Sequence, residues 1–279
     1  MKKIIAFLLC TTLLLSLLGC GKTSAEGTGE NHLWDEATPE AGVMQFCSFD
    51  KNGGQCLSTF ADDTKNAVLN RLSAVTAQPV TDWTADKVKL PVYGITIPTD
   101  DGWGIHAAWS NGYLILRDGS VYKFDFDFSA LAKDYQWPRE KRTINSLAGM
   151  PCGRLLSEGS DGWIAKHLSP ADQLTAPEGI TMTLKEQPDE NITVELANHS
   201  GTEWFFGEYF SLQVLLNDAW YNVPVLSDRN YGFHDIAWLL SAGKTQAKTY
   251  NLSMYGDLPA GTYRLVVENM SVEFLVPKV

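Results

Sequence analysis

From Ile180 onward, apolar and polar residues alternate in short runs. Ile192, Val194 and Leu196 alternate with Thr193, Glu195 and Ala197. Phe210, Leu212, Val214 and Leu216 share one face of the next run, Tyr263, Leu265 and Val267 share another, and Val272, Phe274 and Val276 a third. A period of two puts every second side chain on the same side of an extended backbone, so each run reads as a half-buried strand. Strands are expected over 180–186, 190–198, 208–217, 219–226, 245–253, 261–268 and 271–277. About seven short strands in about 100 residues fold as a two-sheet sandwich. No cysteine follows Cys152, so apolar packing alone must hold those sheets together. The stretch SPADQLTAPEG (169–179) interrupts the pattern and marks a boundary, giving domains over 43–176 and 177–279.

One local motif sharpens the sandwich reading. Leu258-Pro259-Ala260-Gly261-Thr262-Tyr263 sets a tyrosine just after a Pro/Gly turn at a strand start. That resembles the tyrosine corner of Ig-like domains, in which the phenol bonds back to the upstream backbone. The runs GEYFSLQVLLNDAWYNVP (207–224) and YGDLPAGTYRLVV (255–267) resemble a bacterial Ig-like domain family found at the C-terminus of many bacterial lipoproteins. The resemblance covers 180–277 and implies an all-β Ig-like sandwich with no catalytic residues to carry over. Trp220 is expected to pack on a sheet rather than to hold a ligand.

The other end of the chain sets an address. Residues 1–20 read MKKIIAFLLCTTLLLSLLGC: two lysines, then an apolar run over 4–18. That run is shorter than the roughly 20 residues of a membrane span and has the form of a secretory signal. Leu17-Leu18-Gly19-Cys20 resembles the bacterial lipobox. The resemblance implies cleavage after Gly19 (a signal peptide of 1–19) and a diacylglyceryl group on Cys20, which ties the chain to the extracytoplasmic face of the cell membrane. Two acyl chains anchor firmly where one holds only marginally. Loss of Lys2 and Lys3 lowers Lys+Arg from 22 to 20 against 33 Asp+Glu, a net charge of −13. Residues 21–42 carry one Lys against five acids without apolar periodicity, so 20–42 reads as a lipidated Cys and a flexible acidic tether.

The first domain, 43–176, reads as α+β: one helix on an antiparallel meander. Asp62 and Asp63 open a run in which Val68, Leu69, Leu72 and Val75 fall at helical spacing. Strands are expected at 91–98, 106–110, 113–118 and 120–128, with hairpin turns at Asn111-Gly112 and Asp118-Gly119. In the last run Phe124, Phe126 and Phe128 alternate with Lys123, Asp125 and Asp127, which predicts a solvated acidic face.

The chemistry-bearing residues form few constellations. FCSFDKNGGQCLSTF (46–60) reads as a hairpin that brings Cys47 and Cys56 within bridging reach, outside the membrane where disulfides persist. Cys152 is then the odd thiol, with its pairing to either of the others the open alternative. A thiol enzyme using Cys56 with His106 or His167 lacks the surrounding motif. The five His never form HxH, HxxxH or HExxH, and no CxxC occurs, so no metal or cofactor is expected. Asp50-Lys51-Asn52-Gly53 and Thr99-Asp100-Asp101-Gly102 read as turns rather than calcium loops. Nine Trp are present, and Trp103, in a turn-rich stretch, is the candidate ligand-stacking residue where Trp109, Trp137 and Trp163 read as core.

Composition closes off two partner classes. A 44% hydrophobic, 20% charged chain is not wholly disordered, and a net charge of −11 does not suit nucleic acid or electrostatic docking to anionic lipid. The expected role is non-catalytic binding or structure in the cell envelope, with an envelope protein or glycan as partner. Two other readings stay open: an envelope enzyme acting on peptidoglycan or glycan through the first domain, and a protease inhibitor or accessory subunit.

Overall fold

The computed structural model describes residues 32–137, 139–226 and 231–278. Signal segment 1–19 and Cys20 lie outside the described residues. The fold is mainly β, with two short helices.

The first half is built on one eight-stranded antiparallel sheet of order β3-β7-β6-β5-β4-β1-β2-β8. Its strands are β1 (Met44–Asp50), β2 (Gly53–Thr59), β3 (Gln78–Val80), β4 (Val92–Ile97), β5 (Ile105–Ser110), β6 (Tyr113–Leu116), β7 (Val121–Lys123) and β8 (Arg139–Ile144). The β1–β2 turn forms because Asn52 N–H bonds Asp50 Oδ1 at 2.7 Å while Gly53 takes φ +105°. Asn111 (φ 53°) and Gly112 (φ 84°) make the primed turn that a two-residue hairpin needs between β5 and β6. Helix α1 (Asp62–Ser73) buries Val68 and Leu72 against the sheet core, as the helical spacing requires.

Two sequence expectations fail in this half. The run 120–128 is not one strand. β7 stops at Lys123, and Asp127 caps helix α2 (Phe128–Asp134) by accepting from Ser129 N–H at 3.0 Å. The alternating pattern concealed a helix N-terminus, and Asp127 is a cap rather than a member of a solvated strand face. Phe124, Phe126 and Phe128 converge instead, with Phe126 and Phe128 centroids 5.0 Å apart and Trp109 5.6 Å from Phe128.

The second concerns the end of the expected tether 20–42, of which 20–31 lie outside the described residues. Residues 32–42 pack on the sheet half. Trp34 is 3% exposed in its core. Lys65, buried, donates to the carbonyls of Pro39 and Gly42 (2.9 Å for Gly42) and pairs with Asp62 at 2.8 Å. One indole and two turn carbonyls, not periodicity, fix this segment.

Two-residue strands β9 (Glu158–Gly159) and β10 (Gly162–Trp163) form a small hairpin, and β11 (Ser169–Pro170) leads into the second half. There, β12 (Ile180–Leu184), β13 (Asn191–Asn198) and β18 (Thr245–Asn251) make one sheet. β16 (Ala219–Asn222), β15 (Ser211–Leu216), β19 (Gly261–Val267) and β20 (Met270–Val276) make the other, with β11 at its edge. The seven expected strands all appear, within a few residues at each end. Ile192, Val194 and Leu196 face Leu212, Val214, Tyr263 and Leu265 in one fully buried core. A pair absent from the sequence reading, β14 (Trp204–Phe206) with β17 (Trp238–Leu240), forms its own two-stranded ladder. Three-residue strands are too short to carry a period.

Candidate functional site

Trp103 stands on the β4–β5 connection and is 37% exposed. The turn beneath it is fully specified by hydrogen bonds. Asp101 Oδ1 accepts from Trp103 N–H at 3.0 Å and from the Thr99 hydroxyl, and Thr99 Oγ1 accepts from Gly104 N–H at 2.7 Å. The Thr99 hydroxyl and then the Trp103 N–H hold the Asp101 carboxyl below its ordinary range. The Trp103 carbonyl faces His106 Nε2 at 3.1 Å and accepts from Arg117 Nη1 at 3.2 Å, and the Arg117 guanidinium lies 6.0 Å over the indole. One indole face is therefore already shared with a cation. Burial lowers the pKa of His106 despite the Trp103 carbonyl.

The cysteines are placed for structure. Cys47 and Cys56 oppose each other across β1 and β2 and are bridged, with Cα atoms 4.0 Å apart and both side chains buried. Cys152 is free, buried and directed at the carbonyls of His106 and Ile115, each 3.4 Å away. Burial drives its thiol far above the ordinary range, which suppresses the thiolate a nucleophile needs. His167 is buried and directs Nδ1 at the Leu156 carbonyl, 2.7 Å away. Among the described residues, no group of three or more His, Cys, Asp or Glu is placed to hold a metal, and no helix is long and apolar enough to cross a membrane.

The strongest polar constellation joins the two halves. Tyr263 donates its hydroxyl to the Pro259 carbonyl at 2.6 Å, the bond that defines a tyrosine corner, and accepts from Trp163 Nε1 at 2.7 Å. Arg154, 5% exposed, stacks 4.1 Å over the Trp163 ring, donates to the Asp257 carbonyl at 2.7 Å and pairs with Glu158 at 2.8 Å. Burial lowers the pKa of Arg154 and raises that of Glu158; each partner opposes that drift in the other. Ser146 and Ser169 hydroxyls add a contact at 2.7 Å, and Asn222 Nδ2 donates to the Pro170 carbonyl at 3.2 Å. These groups touch one another across a packed joint, and burial there is the first cause of the Arg154 and Glu158 shifts.

Two open clefts carry polar side chains. The larger, about 920 Å³, lies beside the β1–β2 turn, with Asp50, Lys51, Tyr93, Ser129, Lys133 and Asn145 among its lining. It offers one carboxylate and two amines, not the facing carboxylate pair that general acid–base hydrolysis uses. The other, about 730 Å³, lies on the sandwich, where Arg264 covers Trp220 at 4.3 Å and donates Nε to Gln213 Oε1 at 2.7 Å. Trp220 thus has one face occupied by its own sheet.

Exposed apolar side chains also lie on the β14–β17 pair, which no sequence pattern marks. Phe205 (60% exposed) and Leu239 (46%) are cross-strand partners on the outer side of β14–β17. Tyr209 and Phe233 are exposed nearby in sequence, with their rings 5.2 Å apart, and Ile236 is 46% exposed. Trp204 and Phe206 stack at 4.9 Å and pack against the core. WFF followed by Gly contains no polar residue to show which ring faces out, so no pattern signalled the strip.

Compared with known proteins, residues 177–275 match the model of a bacterial Ig-like domain. No curated protein matches the chain. No solved structure matches it either.

Proposed function

We propose that the protein is an extracytoplasmic lipoprotein, anchored in the cell membrane by a diacylglyceryl group on Cys20, whose folded part has a non-catalytic binding role in the cell envelope. In this reading, residues 1–19 are a signal peptide. An α+β head and an Ig-like sandwich then stand on a tether shorter than 20–42, because 32–42 pack on the head. The address is supported by Leu17-Leu18-Gly19-Cys20 after a basic start and a short apolar run. The observation that carries the binding role is exposed apolar side chains: Phe205 pairs with Leu239 across β14–β17, Tyr209 meets Phe233, and Trp103 stands on a hydrogen-bonded turn. A contiguous apolar surface costs solubility unless something covers it, and aromatic side chains are the usual anchors of interfaces. Arg154 and Glu158 pair with each other, and the Cys152 thiol is buried.

Two measurements test this. Metabolic labelling with an alkyne fatty acid should tag the wild-type chain and not Cys20→Ser; an unlabelled wild type contradicts the anchor. Photo-crosslinking residues placed at 103 and at 205 in intact cells should give a defined adduct at one of these positions at least. Absence of adducts at both contradicts the binding role.

A further inference from the structure

The strip on the β14–β17 arm has features that select what covers it. The segments 203–209 and 231–241 run antiparallel beyond the ladder itself: Phe206 opposes Trp238, Glu208 Oε2 lies 3.1 Å from His234 Nδ1, and Tyr209 meets Phe233. The arm is held in place from below. Asn198, fully buried, donates Nδ2 to the carbonyls of Leu240 (2.8 Å) and Thr202 (2.9 Å), while its Oδ1 accepts from Ser200 N–H (2.9 Å). Gly207 N–H bonds Glu268 Oε1 at 3.0 Å. A surface already fixed in one conformation loses little entropy when a partner docks. Its exposed side chains offer on the order of 400 Å², the size of patch that marks interaction sites and below that of a permanent interface.

Charge then discriminates among occupants. Within the two segments Glu203, Glu208 and Asp235 are acidic and there is no Lys or Arg. Lys248, from β18, lies 3.9 Å over the Trp238 ring. A second copy of the chain would bring acid against acid, on a protein of net charge −11. Anionic lipid meets the same repulsion. A polypeptide that alternates apolar and basic residues meets neither. β14 and β17 pair only with each other among the described residues, so each presents a strand edge at which an extended segment could add main-chain hydrogen bonds.

We infer that the β14–β17 arm is a docking surface for a cationic, extended polypeptide segment, whose apolar side chains cover Phe205, Leu239 and Tyr209 and whose Lys or Arg residues meet Glu203, Glu208 and Asp235. The inference rests on the binding reading above and adds the surface and the chemistry of the partner.

The test uses the full-length chain in phosphatidylcholine nanodiscs, with empty nanodiscs as blank. The probes are a ten-residue peptide alternating Lys and Leu, its Glu/Leu counterpart, and phosphatidylglycerol vesicles. The Lys/Leu peptide should bind with a micromolar-order Kd that weakens as salt rises. Phe205→Ser with Leu239→Ser should weaken it at least tenfold at unchanged melting temperature, since both side chains are exposed. Glu203→Lys with Asp235→Lys, which leaves the apolar strip intact, should weaken it and remove the salt dependence. Equal binding of the Glu/Leu peptide, or Lys/Leu binding unaffected by both double variants, overturns the inference. So does strip-dependent binding to phosphatidylglycerol vesicles, or dimerisation that the Phe205→Ser, Leu239→Ser variant abolishes. Failure of every peptide overturns this surface alone, because crosslinks from position 103 would still support a binding role.

Discussion

The two halves of the molecule bury antiparallel sheets by different means: the first covers both faces of a single sheet, the second packs two sheets face to face. The first half closes a short hairpin covalently at Cys47 and Cys56 and fills its core with stacked rings: Phe46 lies 5.4 Å from Trp137 and 5.9 Å from Tyr93. The sandwich has no cysteine and uses aliphatic residues at alternate positions, secured by polar side chains bonded to backbone. Tyr263 holds Pro259, the Tyr255 hydroxyl accepts from Leu212 N–H at 3.1 Å, and Asn198 holds Leu240. Without a cross-link, strand order is fixed by buried groups that each have one satisfactory partner; a misregistered strand would leave them unpaired, at about 1–3 kcal/mol each.

That contrast can be broken from either side. The largest effect is expected from Cys47→Ser with Cys56→Ser. Opening a ten-residue loop should lower stability by roughly 2.5–3 kcal/mol on the loop-entropy estimate, read by urea denaturation. Hydrogen exchange should show the loss in 44–59 before 180–276; equal loss in both would mean that the bridge does not distinguish the halves. Tyr263→Phe comes next, at about 2 kcal/mol, because it strips the Pro259 carbonyl and the Trp163 indole of their partner. Its effect should extend to exchange in 154–167. If only the sandwich responds, the joint carries no coupling.

The smallest effect is that of pH. Burial lowers the pKa values of His106 and His167, which have no hydrogen-bonded carboxylate partner among the described residues to offset it, so the folded state keeps both rings neutral where the unfolded chain binds protons. Their contribution is fully present above the unfolded pKa of about 6.5 and is lost as pH falls through it toward the lower folded values. Urea titrations at pH 7.5 and 5.5 should give lower stability at 5.5, with a reduced difference in His167→Gln. An unchanged difference would remove His167 from the account.

Legibility in the sequence follows the same divide. Ile192, Val194 and Leu196 advertised their strand because each buried residue is flanked by one that is not. The tyrosine corner at Tyr263 and the helix at Val68 and Leu72 were legible for the same kind of reason, a local motif with one geometric solution. Helix α2 was not, because Asp127 fits both an alternating strand and an N-cap, and only tertiary packing of Phe128 decides. Lys65 was hidden because its contacts to Pro39 and Gly42 across some two dozen residues leave no period, and Trp34 because its ring partner is the distant Phe124. Of the candidate site residues, the Cys47 and Cys56 hairpin could be read from its turn. The strip at Phe205 and Leu239 could not, because exposure there depends on the pairing of two strands of three residues.

The account depends most on where the mature chain begins and what it carries. Intact-mass analysis of the protein extracted from membranes, before and after reduction, measures both. The expected species starts at Cys20, carries a diacylglyceryl group, lacks the two hydrogens lost to the Cys47–Cys56 bridge, and shows a single alkylatable thiol, that of Cys152, when unfolded without reductant. A mass without acyl chains, or a chain that keeps residues 1–19, would contradict the lipoprotein reading; three alkylatable thiols before reduction would contradict the bridge.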